Sequence, residues 1–125
     1  MKVIIAGTRT IEDPAVIEIA INASGWRDLI MEVVVGGAKG VDHNAELWAA
    51  RNNIPFTVFN ADWRAHGKAA GPIRNSKMAE YADALIAVWD GVSKGTEDMI
   101  RKMRAKGSPA YVWRIEWKLE GSETA

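Results

Sequence analysis

The sequence lacks the residues that most often build thiol and metal chemistry. None of its 125 residues is cysteine, which excludes disulfides, a thiol nucleophile and cysteine-ligated metals. Histidine occurs twice, at His43 and His66, which is too few for a multi-histidine metal centre. His43 and Glu46 lie one helical turn apart, but no third ligand is evident beside them. We therefore expect no metal and no cofactor.

An excess of one charge and long apolar runs are also missing. Sixteen Lys and Arg residues balance sixteen Asp and Glu residues, which argues against a protein that binds nucleic acid through bulk positive charge. The apolar runs are far shorter than the roughly 20 residues of a membrane span. The start of the chain is also too short an apolar stretch for a signal peptide. We therefore expect a cytoplasmic protein with no membrane association.

Short apolar runs alternate with helical patterns along a chain long enough for one domain. Because the runs lack polar alternation, they suit strands buried on both faces of a parallel sheet. This order predicts an α/β fold with a Rossmann-like open, mainly parallel sheet of about five strands and helices on both faces. We expect a single domain over residues 1–117 and a polar C-terminal tail over residues 118–125. The runs are residues 3–6, 33–35, 54–59, 84–89 and 110–115.

Capping residues predict where the helices begin and end. An acidic or hydroxyl residue before a helical pattern is typical of a helix start, and glycine is typical of a helix end. Residues Met99, Ile100 and Met103 have the spacing of a buried helix face. The predicted starts are Asp13-Pro14, Asp42, Gly71-Pro72 and Thr96, and the predicted ends include Gly25 and Gly107.

Two glycine-rich turns follow predicted strands and precede predicted helices. In parallel sheets ligands bind at the carboxyl ends of the strands, near the point where the strand order reverses. Glycine allows close backbone approach, and a helix start offers free amides and a positive dipole end. The spacing matches neither GxGxxG nor GxxxxGK[ST], so a plain tight turn is the alternative. The turns are residues 36–42, with Gly36, Gly37, Gly40 and Asp42, and residues 90–96, with Asp90, Ser93, Gly95 and Thr96.

Residues 60–75 show no regular hydrophobic pattern, which predicts a long loop. Loops of this length in compact domains are usually functional. Trp63 suits stacking on a base, and Lys68 and Arg74 suit charge neutralisation of a phosphate. The alternative is that Trp63 fills the core and the cations are solvated. Arg9, at the end of the first predicted strand after Gly7, is a further candidate.

Taken together, these motifs resemble the YspA-type, cpYpsA-related branch of the SLOG superfamily. That superfamily groups the SMF/DprA proteins with the lonely-guy (LOG) phosphoribohydrolases, and the branch is frequent in phages. The resemblance covers roughly residues 1–115 and implies a Rossmann-like fold with a nucleotide or nucleotide-derived ligand over the glycine turns. Its motifs are VVVGGAKGVD at 33–42, ADW at 61–63, GKAAGPIRN at 67–75, MA at 78–79, ADAL at 82–85, WDG at 89–91 and SKGT at 93–96.

The chain departs from the LOG enzymes where their hydrolytic chemistry resides. Arg74 and Met78 match the family's arginine and methionine, and Gly95-Thr96 match the GT pair of PGGxGTxxE. The position of the final glutamate is Met99, which cannot stabilise an oxocarbenium-like centre or activate water. Trp89-Asp90-Gly91 replace PGG, and the turn is two residues longer.

Three functions fit this sequence. The main hypothesis is binding of a nucleotide-like small molecule at the carboxyl edge of the sheet. The first alternative is a nucleotide N-glycosidase or (deoxy)ribosyl or phosphoribosyl transferase. The second is DprA-like binding of single-stranded nucleic acid, which the zero net charge opposes. The candidate ligand-binding residues are Gly7, Arg9, Gly36, Gly37, Gly40, Asp42, Trp63, Lys68, Arg74, Asn75, Trp89, Asp90, Ser93, Gly95 and Thr96.

The enzymatic alternative requires a carboxylate at the anomeric carbon. Asp90 is the first candidate for this carboxylate and Asp42 is the second, and Arg74 is a further candidate catalytic residue. A role as turn or helix cap is the competing interpretation of both aspartates.

The apolar segment at residues 111–117, which includes Trp113 and Trp117, permits a homodimer.

Overall fold

The computed structural model describes residues 1–115. The predicted tail at 118–125 lies outside these residues. Five strands and five helices make up the described chain, together with two short 3-10 turns at Arg27–Leu29 and Gly67–Ala69. They are β1 (Lys2–Gly7), α1 (Pro14–Ser24), β2 (Glu32–Val35), α2 (Val41–Arg51), β3 (Phe56–Val58), α3 (Trp63–His66), α4 (Ala70–Tyr81), β4 (Ala84–Trp89), α5 (Lys94–Lys106) and β5 (Ala110–Arg114).

The five strands form one parallel sheet in the order β3-β2-β1-β4-β5. Val3 of β1 lies opposite Val33 of β2 on one side and opposite Ala84 of β4 on the other. The strand order reverses between β1 and β4, so the loops that leave these two strands diverge to opposite faces of the sheet. The sequence-based prediction of a Rossmann-like parallel sheet is confirmed.

Each face of the sheet has its own apolar core. Ile17 of α1 and Trp48 of α2 share one buried cluster with Val3 and Ile5. Ile4, which points to the opposite face because side chains alternate along a strand, shares the second cluster. Helices α4 and α5 contribute Met78, Met99 and Met103 to that cluster, together with residues of β2 and β4. The predicted burial of Met99, Ile100 and Met103 on α5 is confirmed.

The predicted ends of α1 are confirmed, and two other predicted helix starts are wrong. Asp13 caps α1, since its Oδ1 accepts a hydrogen bond of 3.0 Å from the Ala15 amide. Gly40 precedes α2 and Ser93 precedes α5, so Asp42 and Thr96 lie inside the helices rather than at their caps. Both side chains are buried. The sequence pattern finds a residue that can cap, but the fold decides whether its side chain turns back to the helix.

The predicted loop over residues 60–75 is mostly helical. It contains α3, the 3-10 turn Gly67–Ala69 and the first half of α4. Asp62 caps α3 by accepting a hydrogen bond of 3.1 Å from the Ala65 amide, and Gly67 ends it with φ 53°. All four residues of α3 are exposed. Because such a short, exposed helix has no apolar stripe, periodicity could not reveal it.

The predicted strand over 54–59 is shorter and more exposed than expected. β3 spans only Phe56–Val58, and it lies at the edge of the sheet with β2 as its neighbour. Phe56 is 41% exposed and Val58 is 36% exposed. Its apolar run resembles that of a central strand. The sequence does not reveal that the strand lies at the edge, because its position in the sheet depends on distant segments.

Candidate functional site

A cavity of about 1100 Å³ opens at the carboxyl edge of the sheet. It lies where the turns after β1, β2 and β4 meet the first residues of α4 and α5. Ligand pockets commonly have volumes of roughly 300–1000 Å³, so this one has room for a nucleotide-sized molecule. The predicted site residues that line it are Gly7, Arg9, Gly36, Gly37, Asp42, Trp63, Arg74, Asn75, Asp90, Ser93, Gly95 and Thr96.

Three predicted site residues lie outside the cavity wall. Gly40 has φ 71°, and a Cβ atom there would lie 2.4 Å from the Arg9 carbonyl oxygen, so Gly40 lets the segment of Arg9 approach closely. Lys68 is exposed on the 3-10 turn. The indole N–H of Trp89 donates a hydrogen bond of 3.0 Å to the Ser93 carbonyl, so Trp89 holds the turn after β4.

Asp42 binds backbone amides of the first glycine turn, to which it belongs. Its Oδ2 accepts hydrogen bonds from the amides of Gly36 at 3.1 Å and Ala38 at 3.2 Å. Burial raises the pKa of Asp42 above its ordinary value, while the Ala38 amide and the charge of Arg74 act in the opposite direction. The Gly36 amide, which the sequence assigns to a ligand phosphate, is therefore already bound to a carboxylate.

Arg74 spans the start of α4 and the first glycine turn. Its Nη1 donates to the carbonyl oxygens of Gly36 and, at 3.3 Å, Phe59. Its Nε donates to Asn75 Oδ1 at 3.0 Å. Burial lowers the pKa of Arg74, the charge of Asp42 raises it, and the charge of Arg9 lowers it further. These backbone contacts fix the guanidinium at the cavity wall.

Asn75 positions the start of α5. Its Nδ2 donates to the Gly95 carbonyl at 3.1 Å and to Asp98 Oδ2 at 3.0 Å. Asp98 also forms ion pairs with Arg101 and Lys102. Asn75 is buried, and its polar atoms are used between α4 and α5. Its contacts therefore indicate a structural link between the two helices at the cavity wall.

Asp90 caps the turn after β4. Its Oδ1 accepts from the amides of Val92 and Ser93, both at 2.8 Å, and its Oδ2 accepts from the Ser93 hydroxyl at 3.2 Å. Desolvation raises the pKa of Asp90, but hydrogen bonds from Ser93, Val92 and Thr8 outweigh it, so the pKa lies below its ordinary value. Both carboxylate oxygens are thus engaged within the turn.

Sequence reasoning missed Thr8, which joins two of the turns. Thr8 is buried at the cavity wall. Its Oγ1 accepts a hydrogen bond of 3.2 Å from the Asp90 amide and lies 3.2 Å from the Ser93 hydroxyl, whose single proton is shared between Thr8 Oγ1 and Asp90 Oδ2. The available signal was a hydroxyl residue directly after Gly7 at the end of β1. The sequence-based prediction includes Gly7 and Arg9 on either side of Thr8 but not Thr8 itself.

The amino end of α5 presents open hydrogen-bond donors. Ser93 makes no side-chain cap, and the first amide to bond back into the helix is that of Glu97, which donates to the Ser93 carbonyl at 3.1 Å. The amides of Lys94, Gly95 and Thr96 have no acceptor within residues 1–115. The hydroxyl of Thr96, a residue only 6% exposed, also has no partner there. These groups line the cavity.

Apolar and aromatic groups complete the cavity wall. Met78 and Met99 are each 1% exposed and belong to the core as well as to the wall. Trp63 is 59% exposed and lies at the same cavity.

Residues 1–115 contain no group of three His, Cys, Asp or Glu side chains placed to hold a metal ion. In the same residues, no helix has the length and apolar character needed to span a bilayer.

The fold and the cavity define a Rossmann-like α/β protein with a polar site at the reversal of strand order. Residues 1–66 match the sequence profile of the YspA, cpYpsA-related SLOG family. The chain is 35% identical over 115 residues to the Gene 61 protein of Mycobacterium phage D29, which covers 86% of this chain and 92% of that protein. The chain therefore belongs to the YspA, cpYpsA-related SLOG family, and this membership suggests a nucleotide-related function. No solved structure matches the chain.

Proposed function

We propose that this protein binds a nucleotide or a nucleotide-derived small molecule, with a phosphate group at the amino end of α5. The observation that supports this most directly is the set of open donors at that helix end, the amides of Lys94, Gly95 and Thr96 and the buried Thr96 hydroxyl. Free amides and the positive end of the helix dipole favour a phosphate at such a position. Thr96 is buried, so its unsatisfied hydroxyl also favours a ligand that accepts its hydrogen bond.

The charges around the cavity support a bound anion. Arg9 is exposed at the cavity wall and forms no ion pair within residues 1–115. Lys94 lies at the same wall beside the open amides. The first glycine turn is a poorer phosphate site, because Asp42 already binds the amides of Gly36 and Ala38. A second anion close to this carboxylate would meet like-charge repulsion.

The remaining wall suits the base and the sugar. Trp63 offers an exposed aromatic face, and base–aromatic stacking contributes about 1–3 kcal/mol per base in nucleic-acid-binding proteins. Met78 and Met99 provide an apolar floor on which a sugar or base edge can lie. In this arrangement the ligand extends from α5 across the reversal of strand order, toward α3.

Binding without cleavage fits the site better than N-glycosidic hydrolysis. Asp90, the first candidate for a catalytic carboxylate, uses both oxygens within its own turn. Met99 lies at the cavity wall where the LOG pattern has its glutamate, and its thioether cannot stabilise positive charge in the way a carboxylate does. We therefore expect a bound nucleotide to be recovered intact.

The experiment compares Gly95→Glu with Gly95→Ala. A Cβ atom at Gly95 meets no other atom within 4 Å, so both variants should fold, and the carboxylate near the helix start should if anything stabilise α5. Calorimetric titration with nucleoside 5′-monophosphates should show that Gly95→Glu lowers affinity at least about tenfold, which corresponds to about 1.4 kcal/mol. Gly95→Ala, the matched control, should stay within a few-fold of the wild type.

Two outcomes would contradict the proposal. One is equal affinity in Gly95→Glu and wild type, which would show that the phosphate does not bind at the amino end of α5. The other is the absence of binding by any nucleoside 5′-monophosphate to the folded wild type. Chromatography of the ligand after incubation tests the absence of cleavage, because released free base would establish hydrolysis.

A further inference from the structure

We propose that Asp42 and Arg74 together bind a hydroxyl group of the ligand's sugar, so that the site prefers ribonucleotides to their deoxy counterparts. This inference depends on the proposed nucleotide site, and it names the class of nucleotide that the site selects. It concerns the first glycine turn, which lines the same cavity as the amino end of α5.

One oxygen of Asp42 has no donor. Oδ2 accepts from both amides of the turn, Gly36 and Ala38, whereas Oδ1 accepts no hydrogen bond within residues 1–115. Asp42 is only 6% exposed and lies at the cavity wall. A buried carboxylate oxygen without a donor is costly. A ligand group that donates a hydrogen bond to Oδ1 would remove that cost.

Arg74, which lines the same cavity, also has an unused donor group. Its Nη1 and Nε groups are used by Gly36, Phe59 and Asn75. Its Nη2 group donates to no acceptor in the described part of the chain. Because the other two nitrogens are fixed by backbone and amide oxygens, the free end of the guanidinium is held in place at the cavity wall.

The two charges lie close together but do not touch. Each shifts the other's pKa through its charge, yet no nitrogen–oxygen pair within 4.0 Å joins them. Gly36 lies between them, since a Cβ atom there would be 2.5 Å from Arg74 Nη1 and 3.1 Å from Asp42 Oδ2. The absence of a side chain at Gly36 lets both charged groups approach the turn, and both line the same cavity.

A hydroxyl is the ligand group that fits between an acceptor and a donor. It can donate to Asp42 Oδ1 and accept from Arg74 Nη2 at once. A phosphate oxygen only accepts and is repelled by Asp42, and a base amino group only donates. The ribose of a nucleotide carries such hydroxyls next to its phosphate. This chemistry therefore assigns the sugar to the first glycine turn and the phosphate to α5.

The experiment measures affinities for nucleoside 5′-monophosphates and for their 2′-deoxy and 3′-deoxy analogues. In the wild type, removal of the bound hydroxyl should lower affinity about tenfold or more, as expected for a hydrogen bond to a charged group. Asp42→Asn keeps one oxygen for the amides of Gly36 and Ala38 but replaces the other oxygen with a donor. It should abolish the preference for the ribonucleotide over the deoxy analogue, and a preference equal to that of the wild type would contradict the inference.

Equal wild-type affinity for ribo- and deoxynucleotides would overturn this inference and leave the proposed function standing, whereas failure of every nucleotide to bind would overturn the proposed function itself. Thermal unfolding establishes whether Asp42→Asn is folded. If it is not, Arg74→Lys provides the second variant, since a lysine cannot keep both the backbone contacts and the free Nη2 donors. Arg74→Lys should reduce the preference for the ribonucleotide, and an unchanged preference would also overturn the inference.

Discussion

At the scale of single residues, two aspartates at the cavity accept hydrogen bonds from the protein's own backbone amides. Asp42 binds two amides of the turn after β2, and Asp90 binds two amides of the turn after β4. Both turns therefore hold their shape through an internal carboxylate. The two aspartates differ in their surroundings, since burial raises the pKa of Asp42 while hydrogen bonds lower the pKa of Asp90.

Asp90→Ala should destabilise the fold in a pH-dependent way. Loss of a carboxylate that binds turn amides typically costs about 1–2 kcal/mol. Because the pKa of Asp90 is lower in the folded protein than its ordinary value of 3.8, its stabilisation is complete above that value. The stabilisation is lost as the pH falls through the folded pKa. Urea unfolding at pH 7 and at a series of pH values below about 4 measures the difference between variant and wild type.

The matched control is Asp28→Ala. Asp28 is exposed and accepts no hydrogen bond within residues 1–115, so its removal should change the free energy of unfolding by less than about 0.5 kcal/mol. A cost for Asp90→Ala no larger than that of Asp28→Ala, or a cost independent of pH, would show that the turn does not depend on the carboxylate.

At the scale of elements, α4 and α5 are joined by side chains at both ends. Asn75 and Lys102 link the start of α4 to the first turns of α5, and Lys102 donates to the Pro72 carbonyl at 3.0 Å. Near the end of α4, Lys106 donates to the carbonyl oxygens of Ala79 and, at 2.8 Å, Ala82. The amino end of α5 is thus held in position by side-chain contacts with α4, several of them from residues of the cavity wall.

Lys106→Met should weaken this junction. The ammonium group satisfies carbonyls at the carboxyl end of α4, where a positive charge also complements the helix dipole. Its loss should cost about 1 kcal/mol of unfolding free energy, measured by chemical denaturation. Arg104→Met is the control, since Arg104 is exposed on α5 and donates no side-chain hydrogen bond in the described residues. Equal losses in the two variants would mean that the Lys106 contacts contribute nothing specific.

Elements differed in how well their sequences predicted them. α1 has a capping aspartate, a proline at its first position and a left-handed glycine at its end, and β4 is a continuous buried apolar run. Local sequence alone determines such elements. α3 has neither length nor an apolar face, and β3 lies at an edge, so their character depends on neighbours that a local pattern does not contain.

At the scale of the whole molecule, the crossover order brings distant segments to one place. The reversal between β1 and β4 opens the carboxyl edge, and residues from Ala6 to Arg101 meet there around one cavity. The predicted homodimer stays a prediction. Tyr111 and Trp113 pack partly on this chain's own core, and Trp117 lies outside the described residues.

Single-stranded nucleic acid should bind weakly or not at all. Sixteen basic residues are balanced by sixteen acidic residues, and Arg101 and Lys102 on α5 are paired with Asp98. We therefore expect no change in the fluorescence anisotropy of a labelled oligonucleotide at about 150 mM salt. A dissociation constant in the micromolar range or below, with a steep dependence on salt, would contradict this and favour the DprA-like alternative.

The sequence by itself determined the fold class and most of the boundaries of the helices and strands. It also indicated most of the segments that meet at the cavity. Apolar runs, glycine turns and helix caps are local signals, and the family motifs lie in those same turns. Only the tertiary structure decided how the polar groups are used. It directed Asp42 and Asp90 to their own turns, placed Gly40, Lys68 and Trp89 outside the cavity wall, and left the amides of α5 open. The reason is that a side chain's partners come from segments far apart in the chain, and only packing establishes which of them meet.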